Sequence, residues 1–280
     1  MPTPDPTSHP ERPDLDERRA YVPRGRQEEF IVPLLRSAIE SAIRDAAATM
    51  AGRSDGRALD VGCGGQPFRR LVESVGYAYT GIDTQAQPGL ALDHHGAIDG
   101  DLPAGLLDAA VRSPRGGFDL VLCTEVLEHV LDWSRAWTNL SRLLAPGGRL
   151  IITCPHVYPL HEEPYDFWRP TMHALRAFAA RAGLEIIEER ALGDAFDVLG
   201  TVNASTTPDP AQSGPVAWAA SRAARRGRKL LHTLLRSRWV RRQLVPRSAA
   251  ARGGVGDLYL SNFIVLTRAG RAAAAHGDVP

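Results

Sequence analysis

Lysine is almost absent from this sequence, since Lys229 is the only lysine among 280 residues. Arginine therefore supplies nearly all of the positive charge. The 33 Lys and Arg side chains are matched by 32 Asp and Glu side chains, which leaves a formal net charge of +1. A chain so close to neutrality has no overall electrostatic preference for nucleic acid or for an anionic membrane. Any such preference has to come from the distribution of the charge.

Cysteine is also scarce. Cys63, Cys123 and Cys154 are too few and too widely separated for a disulfide framework or a Cys-x-x-Cys zinc site. We therefore expect three small buried thiols in a protein of the reducing cytoplasm.

Long hydrophobic runs are missing as well, because none approaches the ~18 apolar residues that a membrane-spanning helix needs. The opening segment, MPTPDPTSHPERPD, has no basic start followed by an apolar stretch, so no secretory signal is predicted. We expect the protein to meet its partners from solution.

What the sequence does contain is an alternation of short apolar runs and helical patterns, which is typical of a parallel α/β sheet. The predicted strands cover residues 58–61, 77–82, 118–123, 149–154, 184–191 and 258–267. The predicted helices cover residues 28–50, 66–74, 133–144 and 169–182, and Pro146-Gly147-Gly148 is a predicted turn.

Composition also divides the chain into segments. Tails rich in proline and charge, or in alanine and glycine, are expected to be disordered. A Pro/Ser/Thr-rich stretch at 201–215 is expected to be a loop. The predicted segments are a disordered tail at 1–20, a helical cap at 21–56, a core at 57–200, a basic helical insertion at 201–256, a final core strand within 257–270 and a disordered tail at 271–280.

The most informative segment is LDVGCGGQP, residues 59–67, where a predicted strand runs into a glycine-rich turn and then a helix. Gly62 and Gly64 allow a ligand to approach the backbone closely. A dinucleotide fingerprint would need a third glycine where Pro67 stands. Asp60 would repel a pyrophosphate but suits a cationic ligand such as an amino group or a sulfonium. The remaining alternative is a glycine turn that binds no ligand.

LDVGCGGQP resembles motif I of class I S-adenosylmethionine-dependent methyltransferases, although Gln66 stands where the motif usually has its last glycine. The resemblance implies a Rossmann-like, seven-stranded, mostly parallel sheet with helices on both faces and an antiparallel last strand. It also implies S-adenosylmethionine as cofactor and S-adenosylhomocysteine as product. The residues of the motif that would then contact the cofactor are Asp60, Gly62, Cys63 and Gly64.

Further segments resemble the same family in the same order. Asp83 ends the second predicted strand in GID, where the family holds both ribose hydroxyls. In IDGDLP, Asp101 with Leu102 is the expected adenine contact, and Asp99 is the alternative to Asp101. FDLVLCTEVLEHV resembles the fourth strand and its turn, which places Cys123 and Thr124 along the methionine part of the cofactor. LLAPGGRLIITCP is similar to the following helix, turn and strand.

The turn after the fourth strand carries candidate catalytic groups. If Glu125 starts a helical turn, Glu128 and His129 lie on the same face. His129 is then a candidate general base or acceptor-positioning residue. The main alternative is structural, with Glu125 and His129 bracing the loop through hydrogen bonds. A divalent-metal site of Glu125, Glu128 and His129 is the weaker alternative.

The segment CPHVYPLHEEPYDFWRPT, residues 154–171, follows the fifth strand, where a loop faces the pocket of such sheets. We predict that His156 or His161, together with Tyr165, contacts the methyl acceptor. Trp168 and Arg169 are expected to anchor the next helix.

Residues 217–244 concentrate basic charge and apolar residues at helical spacing, with no acidic residue among them. Such a helix suits an anionic membrane surface or phosphates. A dimer helix or a substrate-domain helix with solvated arginines is the alternative.

The sequence thus predicts a methyltransferase that acts on a hydroxyl of a small molecule of sugar, lipid or secondary-metabolite type. Peripheral contact with an anionic membrane through 217–244 is an accompanying expectation. A nucleic-acid methyltransferase is the second choice, and a non-catalytic cofactor-binding protein is the third.

Overall fold

The computed structural model describes residues 21–50, 53–206, 215–237, 239–240 and 258–268, with the side chains of 215–221 excepted. The two predicted tails and the later part of the predicted insertion lie outside these residues. Within the described residues, no helix combines the length and the hydrophobicity that a membrane crossing requires.

One seven-stranded sheet organises the described residues, with the order β3-β2-β1-β4-β5-β7-β6. The strands are β1 Gly56–Val61, β2 Tyr77–Asp83, β3 His94–His95, β4 Phe118–Thr124, β5 Leu144–Pro155, β6 Leu184–Leu192 and β7 Ser261–Arg268. The first five strands are parallel to one another, and β7 is antiparallel to both β5 and β6. The predicted mostly parallel sheet with an antiparallel last strand is confirmed.

Seven helices accompany the sheet in the described residues. They are α1 Val32–Ala48, α2 Arg69–Ser74, α3 Ala104–Val111, α4 Trp133–Leu143, α5 Met172–Arg181, α6 Ala195–Ser205 and α7 Pro215–Arg236. Residues 201–205, which were expected in a loop, form the last turns of α6. Asp194 begins this helix with a capping box to Asp197, a start signal that sequence reasoning missed.

The helices pack on both faces of the sheet because successive side chains of a strand point in opposite directions. In β4, Val121 and Cys123 belong to the core that contains α3, α4 and α5. Leu120 and Leu122 belong to the opposite core, which contains α1 and residues of α2, α6 and α7. Both faces of β4 are covered from Leu120 to Cys123, and this explains the apolar run at these four positions.

The predicted turn at Pro146-Gly147-Gly148 is instead an irregular start of β5. The pairing register with β4 shifts between Phe118 and Leu120, and Gly147 has a φ of 74°. The extra residues form a bulge, so the strand begins at Leu144 rather than at Arg149.

Candidate functional site

The carboxyl ends of β1, β2 and β4 meet at one edge of the sheet, and the glycine loop after β1 lies there. Gly62 and Gly64 have φ values of 65° and 46°. The amides of Gly62 and Cys63 both donate to the carbonyl oxygen of Ile82 at the end of β2. A Cβ atom on Gly62 would lie 2.4 Å from Cγ2 of Val126, so the loop is held tightly against the turn after β4.

Helix α2 begins at Arg69, three residues later than predicted. Gln66 has a φ of 56°, which interrupts a helical start at that position. The backbone amides beside the glycine loop therefore belong to turns and not to a helix terminus. A Cβ on Gly64 would meet nothing within 4 Å, so open space lies over this part of the loop.

Asp60 lies beneath the loop and is 2% exposed. The hydroxyl of Tyr79 donates a hydrogen bond of 2.7 Å to its Oδ2. Burial raises the pKa of Asp60 to about 7, because it outweighs the opposing effect of the Tyr79 hydrogen bond, and the charge of Asp83 adds to the increase. A cationic group close to Asp60 would favour its ionised form.

Asp83 lies beside the same loop, as predicted from the end of β2. Its Oδ2 accepts a 2.8 Å hydrogen bond from the amide of Gly64, and its Oδ1 accepts one from the amide of Gln85. The carboxylate is therefore directed towards the glycine loop and not away from it.

The predicted adenine loop is less closely connected to the site. The Asp101 side chain is fully exposed and pairs with Arg135, and Asp99 accepts a hydrogen bond from the amide of Asp132. Leu102 packs against the core that contains α3. None of the three lines the cavity described below, so their contact with a cofactor stays a prediction.

All three cysteines are free and buried, as expected. Burial raises the pKa of Cys63 to about 12 and also raises the pKa values of Cys123 and Cys154. These thiols therefore stay protonated, which disfavours roles as nucleophiles or thiolate ligands. Cys63 lines the cavity and Cys123 is enclosed in the core.

The turn after β4 differs from the predicted helical turn. Glu125 has a φ of 53°, and the helical turn that follows covers only Leu127–His129 in the 3-10 form. The Glu125 amide donates to the backbone and side-chain oxygens of Thr153, and Ser261 Oγ donates to Glu125 Oε1. Burial raises the pKa of Glu125 to about 7. Its carboxylate is thus already engaged with β7.

Glu128 is completely buried, with a side-chain exposure of 0%. Cys154 Sγ lies 3.7 Å from its Oε2, but its Oε1 has no hydrogen-bond partner. Burial raises the pKa of Glu128, and the nearby charge of Glu125 raises it further. A buried carboxylate oxygen without a partner is costly, so a cation or a proton is expected there.

His129 and His161 both lie near Glu128, although His129 belongs to the same turn and His161 to the loop after β5. Their Nε2 atoms lie 3.8 Å and 4.0 Å from Glu128 Oε1, and their rings pack edge to face. His129 Nδ1 lies 2.8 Å from the carbonyl oxygen of Tyr165. Tyr165 is 65% exposed and does not line the cavity described below, while its carbonyl oxygen positions His129. Its predicted contact with the acceptor stays a prediction.

His156 occupies a different environment. Its ring stacks on Tyr259 with centroids 4.4 Å apart, and its Nδ1 lies 3.0 Å from the carbonyl oxygen of Pro170. His156 does not line the cavity. Of the two histidines predicted in this loop, the structure brings only His161 to the site.

Trp168 and Arg169 anchor the segment before α5, as expected. Trp168 Nε1 donates to the carbonyl oxygen of Val130, and Arg169 forms two 2.6 Å hydrogen bonds with the carboxylate of Asp166. Burial opposes ionisation of Asp166, but the bonds from Arg169 outweigh it and lower the pKa to about 2.

A cavity of about 340 Å³ connects the glycine loop with the two histidines. This volume lies within the usual range of small-molecule sites. Its lining includes Asp60, Gly62, Cys63, Gly64 and Thr124 at one end, and Glu125, His129, His161 and Glu162 at the other.

Sequence reasoning missed the residues that close the cavity from the amino-terminal side. Tyr21, Arg24 and Glu28 line it from the segment before α1, and Tyr158 lines it from the loop after β5. Tyr21 packs against Phe68 with ring centroids 5.1 Å apart. Nothing in the sequence marks Tyr21, because a single aromatic residue before a helix has no distinctive spacing. For Tyr158 the only signal is the crowding of polar residues in its loop.

A family described as a methyltransferase domain matches residues 35–200 of this chain. The chain belongs to this family. The match covers β1 to β6 and includes the glycine loop, Asp83 and the turn with Glu128 and His129. It confirms the class I S-adenosylmethionine-dependent methyltransferase domain that motif I indicated.

Relatives with assigned names are similar over part of the chain. A ubiquinone biosynthesis O-methyltransferase of Marinobacter nauticus is 33% identical over 114 residues, which are 39% of this chain and 47% of the relative. A mitochondrial ubiquinone biosynthesis O-methyltransferase of Bos taurus is 30% identical over 146 residues, covering 49% and 39% of the two chains. This methyltransferase chain therefore spans half or less of the length of these relatives.

Among solved structures, the chain is similar to a SAM dependent methyltransferase from Archaeoglobus fulgidus. The sequence identity is 13%, the TM-score is 0.47, and the similarity covers 83% of this chain and 94% of the other.

Proposed function

We propose that this methyltransferase transfers a methyl group from S-adenosylmethionine to a hydroxyl of a small-molecule acceptor of sugar, lipid or secondary-metabolite type. One observation carries the proposal: a single cavity joins the loop of Gly62 and Gly64 to the paired imidazoles of His129 and His161. The similarity to ubiquinone biosynthesis O-methyltransferases supports oxygen as the methyl acceptor.

The glycine-loop end fits the cofactor. The open space over Gly64 leaves the backbone accessible to a ligand, and Asp60 and Asp83 supply carboxylates on the two strands beside it. Asp60 would face the positive charge of the amino acid or sulfonium group, and Asp83 would accept hydrogen bonds from ribose hydroxyls. The bound cofactor supplies a methyl group that its sulfonium has already activated.

The histidine end fits the acceptor. The carbonyl oxygen of Tyr165 can only accept a hydrogen bond, so His129 Nδ1 carries a proton, and in the neutral ring Nε2 offers a lone pair. That lone pair can position an acceptor hydroxyl or take its proton as the oxygen attacks. Most of the remaining rate gain would come from holding the acceptor in line with the methyl group.

Calorimetry with S-adenosylhomocysteine, followed by a transfer assay with labelled methyl donor, tests this proposal. We expect binding in the micromolar range and label transfer to hydroxylated acceptors. Failure to bind at millimolar concentration would contradict the assignment. Transfer to RNA or DNA alone would favour the nucleic-acid methyltransferase, and binding without transfer to any acceptor would favour the non-catalytic protein.

We also propose that α7 makes peripheral contact with an anionic membrane. His232 and Leu235 are buried, and Glu29 pairs with His232 and Arg236, which holds this helix against the cap. Leu230, Leu231 and Leu234 are exposed, with Leu230 at 62%. Five arginines, one lysine and no acidic residue in α7 add a favourable charge for anionic lipid.

Vesicle sedimentation tests this contact. Replacing Leu230 and Leu234 by Ser should release the protein from anionic vesicles, because it removes apolar area from the exposed stripe. Leu160→Ser is the matched control, since Leu160 is 68% exposed in another part of the molecule. Equal binding to neutral and anionic vesicles, or no binding to either, would exclude this role.

A further inference from the structure

Glu128, His129 and His161 form a group that the proposed transfer reaction does not fully explain. One ligand atom from each lies within 4.8 Å of the other two. We propose that these three side chains bind a divalent first-row transition-metal ion between Glu128 Oε1 and the two Nε2 atoms. The ligand set is two imidazoles and one carboxylate, with one imidazole supplied by the loop after β5.

The strongest sign of a ligand is the state of Glu128 Oε1. This oxygen is inaccessible to solvent, has no hydrogen-bond partner, and points at the two Nε2 atoms from 3.8 Å and 4.0 Å. Those distances are too long for hydrogen bonds to a neutral imidazole. Bonds of about 2.1 Å to a shared ion would need the three atoms to move closer by less than roughly 1 Å.

In both imidazoles the Nδ1 atom is hydrogen-bonded on the side away from Glu128, which leaves the lone pair of Nε2 directed towards Glu128 Oε1. His129 Nδ1 is bonded to the carbonyl oxygen of Tyr165. His161 Nδ1 lies 3.3 Å from Asp166 Oδ2 and 3.3 Å from the carbonyl oxygen of Pro159. Both sets of partners are oxygens, so each Nδ1 carries the proton and each Nε2 is free to bind a metal.

Arg169 Nη2 also lies 3.4 Å from His161 Nδ1, but its two protons have nearer acceptors. They are directed at Asp166 Oδ2, at 2.6 Å, and at the carbonyl oxygen of Pro159, at 3.1 Å. Arg169 therefore holds Asp166 in place, and Asp166 in turn orients His161. A carboxylate that accepts the outer N–H of a metal-binding histidine is a recurrent partner arrangement.

The ligand types point to the class of metal. Imidazole ligands suit zinc, iron, nickel and copper, whereas magnesium and calcium prefer oxygen ligands. Three protein ligands beside a cavity also leave coordination positions open, and Glu162 Oε2, 3.9 Å from His129 Nε2, is near enough to be a fourth.

Glu125 is not one of the ligands in this arrangement. Its carboxylate accepts a hydrogen bond from Ser261, and Thr153 holds its amide. The metal site suggested by the sequence consisted of Glu125, Glu128 and His129. In the structure His161, and not Glu125, lies beside the other two. Because the ion would occupy the lone pair of His129, a metal-loaded protein would not use that nitrogen as a base. Transfer in the loaded protein would then rest on holding the acceptor in line with the methyl group, the larger of the two contributions proposed above.

Titration of the full chain with Zn²⁺ and Co²⁺ in the absence of methyl donor tests the site. We expect saturable binding to the described group and a visible Co²⁺ spectrum with nitrogen and oxygen ligation. Mg²⁺ should compete only weakly. His161→Gln should lower Zn²⁺ affinity by about tenfold or more, since even a lost outer partner of a ligand costs that much.

Two variants serve as controls. His156→Gln alters a histidine of the same loop that does not face the site, and Glu125→Gln alters the alternative carboxylate; both should keep the wild-type Zn²⁺ affinity. Melting curves without metal check that each variant folds. If His161→Gln does not fold, Glu128→Gln replaces it.

The proposal is overturned if wild-type protein shows no saturable Co²⁺ spectrum. It is equally overturned if Glu125→Gln abolishes binding while His161→Gln does not. Because S-adenosylhomocysteine binding is measured separately by calorimetry, loss of the metal site and loss of the methyltransferase assignment are distinguishable.

Discussion

The hydroxyl of Tyr79 donates a 2.7 Å hydrogen bond to Asp60, beneath the loop where the cofactor is proposed to bind. We expect this pair to make cofactor affinity dependent on pH. Burial raises the pKa of Asp60 to about 7 in the folded protein, so the carboxyl is mainly protonated below that pH. A cationic cofactor favours the ionised form, and its affinity should therefore rise as pH increases through about 7.

Calorimetry with S-adenosylmethionine between pH 6 and 8 would measure this rise. Tyr79→Phe removes a hydrogen bond that lowers the pKa of Asp60, so the midpoint should move to higher pH. Glu125→Gln removes the other cavity carboxyl with a pKa near 7 and should leave the midpoint unchanged. An affinity independent of pH in the wild type would contradict the role of Asp60.

The same raised pKa has a consequence for stability. Asp60 releases its proton near pH 4 when unfolded and near pH 7 when folded, so the unfolded chain binds fewer protons between these values. The contribution of Asp60 to the free energy of unfolding should therefore decrease as pH rises from about 4 to about 7. Asp60→Asn should flatten that part of the stability curve in urea unfolding.

Alanine substitutions in the glycine loop should distinguish a loss of stability caused by backbone strain from a loss of cofactor affinity. Gly62→Ala should cost about 1–3 kcal/mol from its positive φ alone, and the contact with Val126 should add to that loss. A Cβ on Gly64 meets no atom within 4 Å, so Gly64→Ala should cost less stability than Gly62→Ala. It should still lower cofactor affinity, because the added methyl group fills the space over the loop where the cofactor is proposed to bind.

Gly76→Ala is the control for these two variants, because Gly76 also has a positive φ and free space but does not line the cavity. It should lose stability without losing S-adenosylhomocysteine affinity. Thermal unfolding and calorimetry on the three variants give both quantities. Equal affinities for Gly64→Ala and Gly76→Ala would place the cofactor elsewhere.

The two histidines of the loop after β5 should respond differently to substitution. His161→Gln should lower turnover by about 10²-fold, the usual size of a lost acid–base or positioning group, because His161 lines the cavity. His156→Gln should instead lower the melting temperature, because His156 stacks on Tyr259. Steady-state kinetics with circular dichroism would distinguish the two, and the reverse pattern would refute the assignment.

Packing between the cap and α6 depends on Gly200. A Cβ there would lie 2.3 Å from Cζ of Phe30, so Gly200→Ala should destabilise the protein by about 1–3 kcal/mol despite the better helix propensity of alanine. Gly227→Ala in α7 meets nothing within 4 Å and should be neutral or stabilise by up to about 1 kcal/mol. Urea unfolding measures both changes.

Most of the strands and the glycine loop were predictable because they depend on local patterns. The apolar runs around Leu59 and Val121 mark strands buried on both faces, and LDVGCGGQP has a spacing that few other loops share. The positions of Asp60 and Asp83 at neighbouring strand ends follow directly from parallel pairing. The position of His161 does not, because it depends on how Asp166 and Arg169 hold the irregular chain between β5 and α5.

The amino-acid sequence alone indicated an α/β sheet and a ligand-binding glycine loop, because hydrophobic periodicity and glycine spacing are encoded residue by residue. The antiparallel last strand and the methyltransferase family were implied by the resemblance of that loop to motif I. Only the tertiary structure decided that Glu125 bonds to Ser261 while His129 and His161 meet at Glu128. These residues are separated by up to 136 positions along the chain, and such contacts are determined by packing across the sheet rather than by any local pattern.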